Sequence, residues 1–78
     1  MNPSASTVID LIHQITHIKR DKILPQSRFL ADLHMNGVDK YELILELEDK
    51  TGMDIPDEIY ESWNTVQDVY DYLNKREQ

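Results

Sequence analysis

Apolar residues recur at Val8, Leu11, Ile12, Ile15 and Ile18. That i, i+3, i+4, i+7 spacing is the stripe of an amphipathic helix and predicts one from Thr7 to about Arg20. Thr7 and Asp10 form an S/T-x-x-D start signal, a variant of the capping box. Residues 21–36 read as a long connection containing Pro25. Phe29, Leu30 and Leu33 are expected to pin it to the core, because a free loop of that length is unusual. A second helix is predicted from Asn36, among the best N-caps, whose side-chain oxygen accepts from the backbone N–H of Val38 or Asp39. It runs to about Thr51, where Gly52 is a natural stop. A short third helix follows Pro56, a residue favoured in a first turn. The last helix begins at Thr65, with Thr65-x-x-Asp68 as its cap and Val66, Val69, Tyr70 and Leu73 as its stripe. No segment carries a strand signal.

The polar positions of the second helix are more informative than its apolar ones. Asp39, Glu42, Glu46 and Asp49 fall at i, i+3, i+7, i+10, which sets four carboxylates on one face. Val38, Tyr41, Leu45 and Glu48 run along another side, and Leu43, Ile44 and Leu47 broaden the apolar surface. Like charges three and four apart cost a few tenths of a kcal/mol each, partly relieved by Lys40 and Lys50. Folding gains little from such a stripe; a partner that neutralises it gives it a use. An ordinary solvated face is the plainer alternative.

Composition narrows the class. Seventy-eight residues make one domain, 1–78. A chain of that size buries only about 60–65% of its unfolded surface, too little for a deep enclosed active site. Fifteen acids against eight bases give a net charge of -7. Phosphates are repelled by such a chain, so nucleic acid is not an expected partner; a protein with a Lys/Arg patch is. There is no cysteine, hence no disulfide or thiolate metal site. No apolar run approaches a membrane span, and Met1-Asn-Pro-Ser-Ala-Ser lacks the regions of a signal peptide. A cytoplasmic location and a monomeric state are expected. His13 and His17, with Asp10, form a geometrically possible zinc face, but nothing nearby supplies a fourth group, so no metal is expected. The acids lie on an exposed stripe rather than in a water-poor cleft, so no catalytic residue and no enzyme activity are expected.

Residues 29–67 carry a resemblance that extends over about 8–73. Phe29 with Ala31-Asp32-Leu33, then Asp39, Glu42-Leu43, Leu47-Glu48, Ile55-Pro56-Asp57-Glu58 and Thr65-Val66-Gln67-Asp68 resemble, in order and spacing, the acyl carrier protein family. The resemblance implies an all-α, four-helix bundle with a short third helix and a long loop after helix one. It also implies a role in fatty-acid or polyketide-type metabolism. Partners would be carrier-recognising synthases or transferases that read the acids of helix two. Asp32, Asp39, Glu42, Glu46, Glu48, Asp49 and Glu58 are then the candidate partner-binding residues. The family's cofactor, 4'-phosphopantetheine, is borne on the Ser of an Asp-Ser-Leu at the start of helix two. Here the same places read Asn36-Gly37-Val38, so no cofactor attachment is expected at Gly37. None of Ser4, Ser6, Ser27 and Ser62 resembles an attachment site. His34 takes the usual Gly before the motif. Trp63 stands at a usually smaller aliphatic position and, with Tyr60 and Tyr41, is expected either to fill the space that shelters an acyl chain or simply to pack the core. A docking or regulatory protein without the arm is the leading reading. A working carrier loaded elsewhere, a Ser-to-Gly variant of one, and a small acidic inhibitor remain open beside it.

Overall fold

A computed structural model describes residues 5–76; Met1-Asn-Pro-Ser at the start of the chain and residues 77 and 78 lie outside them. Four helices follow in order: α1 (Ala5–Thr16), α2 (Gly37–Thr51), α3 (Asp57–Glu61) and α4 (Val66–Arg76), with a 3-10 turn at Arg20–Lys22. Among the described residues there is no strand, only an isolated bridge between Arg28 and Thr65. This is the all-α bundle with a short third helix and a long first connection.

The first helix departs from the predicted span at both ends. It begins at Ala5, so Thr7 lies inside it rather than capping it. Asp10 does not cap either; its carboxylate takes Arg20 Nε at 2.7 Å. The helix stops at Thr16 because His17 turns left-handed at φ 65. His17 N–H still donates to His13 O at 2.7 Å, and Thr16 Oγ1 accepts from Ile18 N–H at 3.1 Å, so the end is locally satisfied. Ile18 therefore reaches the core edge from outside the helix.

Both ends of α2 carry the caps the sequence supplies. Asn36 Oδ1 accepts from Asp39 N–H at 2.9 Å. Gly52 closes the helix at φ 73, donating to Glu48 O. α3 follows Pro56 as expected, with Pro56 itself at the N-cap. At α4 the box is reciprocal: Thr65 Oγ1 accepts from Asp68 N–H at 3.3 Å, while Asp68 Oδ2 accepts from the N–H groups of Asn64 (2.8 Å) and Thr65 (3.1 Å).

Three helices and the long connection build the core. α1 gives Val8, Leu11 and Ile12; α2 gives Leu43, Ile44 and Leu47; α4 gives Val66, Val69 and Leu73. The connection gives Ile23, Phe29, Leu33 and Met35, with Ile55 and Trp63 from either side of α3. Leu30 is the exception among the expected pins, 70% exposed. The connection is ordered by its backbone: Pro25 O and Ser27 O accept from Gln67 N–H (2.8 Å) and Val66 N–H (3.2 Å) at the head of α4, and Phe29 N–H donates to Asn64 O at 2.9 Å. No described helix is long and apolar enough to cross a membrane.

Candidate functional site

The head of α2 is built from the inward side. Met35 N–H donates to Phe29 O at 2.8 Å, which draws the connection against the helix start. Lys40, expected to relieve the acidic stripe, instead turns away from it. Its Nζ donates to Trp63 O at 2.7 Å and lies 5.8 Å from the centre of the Phe29 ring. Burial pulls the Lys40 ammonium below the usual lysine value, with Glu61 and Asp68 opposing the shift. The sequence hid this contact because its partner is 23 residues away.

Gly37 is the first residue of α2. Its φ is not positive, and a Cβ placed there would meet nothing within 4 Å beyond its chain neighbours and its own helix backbone. A groove of about 260 Å³ borders it, lined by Phe29, Leu30, Met35, Asn36, Lys40 and Trp63 among others. Phosphopantetheine attachment requires a hydroxyl, and position 37 has none. Ser27 is buried, its Oγ accepting from Leu24 N–H at 2.9 Å. Ser62 Oγ is spent on Ile59 O at 2.6 Å, at the far end of α3.

The outward face of α2 divides into two strips. At about 100° per residue, Tyr41, Leu45 and Val38 fall within about 60° of arc, and Asp49, Glu42, Glu46 and Asp39 fill about the next 80°. Val38 is 77% exposed, Tyr41 48% and Leu45 47%. Glu42, Glu46 and Asp49 are exposed and Asp39 is half-buried. Leu43, Ile44 and Leu47 do not widen this surface; they face the core. Tyr41 leans on Tyr60 of α3 with ring centres 6.2 Å apart.

The other candidate acids lie apart from that strip. Glu48 is half-buried and its Oε2 accepts from Ile55 N–H at 2.9 Å, tying the end of α2 to the approach of α3. Asp32 sits in the connection, where Oδ2 accepts from Arg28 N–H at 2.7 Å and meets Arg28 Nε at 3.3 Å. Those bonds hold its carboxyl below the ordinary carboxylate range. Glu58 is exposed in the first turn of α3. Trp63 is buried against Tyr72, ring centres 5.7 Å apart, rather than against the Tyr41–Tyr60 pair. The paired histidines of the sequence reading are not on one helix face: His17 is beyond the end of α1, and His13 Nδ1 lies 2.7 Å from Ile18 O.

Comparison with known proteins gives the class. Residues 6–73 match the family described as "Phosphopantetheine attachment site". The chain is 41% identical over 69 residues to the acyl carrier proteins of Chlorobium phaeobacteroides and Chlorobium phaeovibrioides, covering 88% of each chain. It is 43% identical over 56 residues to the acyl carrier protein of Thermosynechococcus vestitus, covering 72% of this chain and 69% of that one. The chain belongs to the acyl carrier protein family. Proteins of this family are carriers rather than enzymes, use 4'-phosphopantetheine, and engage synthases and transferases.

Proposed function

We propose that this chain is a carrier-fold protein that does not carry. It docks the outward face of α2 on a carrier-recognising synthase or transferase and serves there as a non-catalytic, cytoplasmic subunit or regulator, monomeric on its own. One observation supports the reading: Gly37 heads a properly capped α2 with open space around it, yet brings no hydroxyl to the position that the resemblance aligns with the family's serine. Asp39, Glu42, Glu46 and Asp49 would meet a Lys/Arg patch, with Asp32 and Glu58 at the flanks. Glu48 contributes less, since one of its oxygens serves Ile55. Rim pairs of this kind act mainly on association rate and salt dependence.

The test is intact mass after incubation with coenzyme A and a broad phosphopantetheinyl transferase, with Gly37→Ser beside the unaltered chain. The expected result is no added mass on the unaltered chain and one arm on Gly37→Ser. An arm on the unaltered chain overturns the reading.

A further inference from the structure

We propose that Lys40 is an acyl-acceptor residue: its amine takes a short acyl group from a thioester that enters the groove beside the head of α2. The inference goes beyond the docking reading and needs no partner protein. It starts from where the lysines lie. Lys19, Lys22, Lys50 and Lys75 are exposed, whereas Lys40 is half-buried. Its Nζ donates to Trp63 O at 2.7 Å and stands 5.8 Å from the centre of the Phe29 ring. Among the described residues it forms no ion pair. Taking an ammonium out of water without a carboxylate beside it costs free energy, and a methionine would cover Phe29 without that cost. Packing alone therefore does not explain the amine.

The groove gives the amine a use. Lys40 lines it together with the apolar side chains of Phe29, Leu30, Met35 and Trp63, and its volume is about 260 Å³. Leu30 is 70% exposed, so part of the apolar wall stays wet until something apolar covers it. Sites for drug-sized ligands run to about 300–1,000 Å³, so this groove suits a smaller group, such as a short acyl chain. Asn36 and Asn64 line the same groove and bring N–H donors of the kind that hold a thioester carbonyl. Thioesters are the acyl donors at hand for a family that uses 4'-phosphopantetheine. The net charge of -7 disfavours a polyanionic thioester and favours one whose reacting end is neutral.

Burial pulls the Lys40 ammonium below the usual lysine value, against the opposing charges of Glu61 in α3 and Asp68 in α4. More of it is then neutral amine, the nucleophilic form, at a given pH. The amine attacks the thioester carbonyl carbon. A C–N bond forms and the C–S bond breaks. Sulfur leaves with the electron pair and takes up the proton that the amine loses. The products are an amide on Lys40 and a free thiol, with no further reactant. The amide N–H can still serve Trp63 O, but the cation beside Phe29 is gone.

The experiment incubates the whole chain with the butanoyl thioester of N-acetylcysteamine, a neutral donor, with no transferase and no partner. Peptide mass mapping against time locates the product. Lys40 should be butanoylated at least about tenfold faster than Lys19, Lys22, Lys50 or Lys75, since positioning alone can supply far more than that. The Lys40 rate should rise with pH and level off below 10.5, the ordinary lysine value. Leu30→Ala should slow the butanoyl reaction severalfold, leave the acetyl reaction unchanged, and leave the melting temperature where it was. Lys40 labelled no faster than the exposed lysines overturns the proposal and leaves the docking reading untouched. Fast labelling that ignores both Leu30→Ala and acyl length overturns the role of the groove. A rate still climbing at 10.5 overturns the role of burial.

Discussion

The two glycines of this chain should respond to the same substitution with opposite signs. Gly37 has an ordinary helical backbone and nothing beyond its chain neighbours and its own helix backbone within 4 Å of where a Cβ would sit. Gly37→Ala therefore introduces no clash and removes conformational freedom from the unfolded chain, a gain of about 0.4–1 kcal/mol. For a domain of this size, about 1 kcal/mol moves the melting temperature by about 4–8 °C, so the expected rise is about 2–8 °C. Gly52 also has open space around it, but its φ of 73 is left-handed. Gly52→Ala forces a Cβ against the following carbonyl, costing about 1–2 kcal/mol. The expected fall is about 4–16 °C by the same conversion. Thermal melts followed by circular dichroism at 222 nm read both. A fall for Gly37→Ala would mean that the fold requires glycine there, and the missing hydroxyl would then be a by-product of packing. A rise means that the fold tolerates a side chain at 37 and its absence has to be explained by what the protein does.

Other substitutions test the local bonds. Asp68→Ala removes the acceptor for Asn64 N–H and Thr65 N–H and should destabilise by about 1 kcal/mol in a chemical-denaturation series. The backbone bond from Asn64 holds the Asp68 carboxyl below its ordinary 3.8. Its contribution is therefore present above that value and lost as pH falls through the lower folded value; acid melts of Asp68→Asn should lose part of that slope below about pH 4. His34 holds φ 56 without being glycine, so His34→Gly should raise the melting temperature, and a fall would show that the His34 side chain contributes contacts outweighing its backbone strain.

How much of this was legible depended on where the signal lay. Both ends of α2 were readable because each is set by one residue acting on its own helix: the Asn36 oxygen at one end and the left-handed Gly52 at the other. The end of α1 was not, because a histidine performs there the turn that glycine usually makes, and the apolar period simply runs on to Ile18. Apolar spacing also failed to choose between the two sides of α2. Leu43, Ile44 and Leu47 on one side and Val38, Tyr41 and Leu45 on the other are both plausible core faces in one dimension. Only the position of α1, which packs on α2, decides between them. Lys40 was misjudged for a related reason. A lysine reads as surface charge, but its long aliphatic stem can cover Phe29 while its ammonium finds a carbonyl. The family pattern, spread over many residues, survived all of these errors.

The bonds that hold α2 and the groups that face outward from it are separate sets. The Asn36 cap, the Met35–Phe29 backbone bond, Lys40 on Trp63 and Glu48 on Ile55 secure the helix without using Val38, Tyr41, Leu45, Glu42 or Glu46. Charge reversal at two of the latter separates stability from docking. In Glu42→Lys with Glu46→Lys, the like-charge pairs Asp39–Glu42 and Glu46–Asp49 become opposite-charge pairs, the opposite-charge pair Glu46–Lys50 becomes a like-charge one, and positions 42 and 46 still repel each other. Each helical pair is worth about 0.2–0.5 kcal/mol in either direction, so two gains against one loss leave the double variant more stable by about 0.4–1 kcal/mol at low salt. The same variant presents lysines to a basic partner and should lose capture by a carrier-recognising enzyme, with the loss diminishing as salt screens the charges. A variant that melts no lower and still binds as before would refute the docking face, and a variant that melts markedly lower would refute the claim that these acids contribute nothing to the fold.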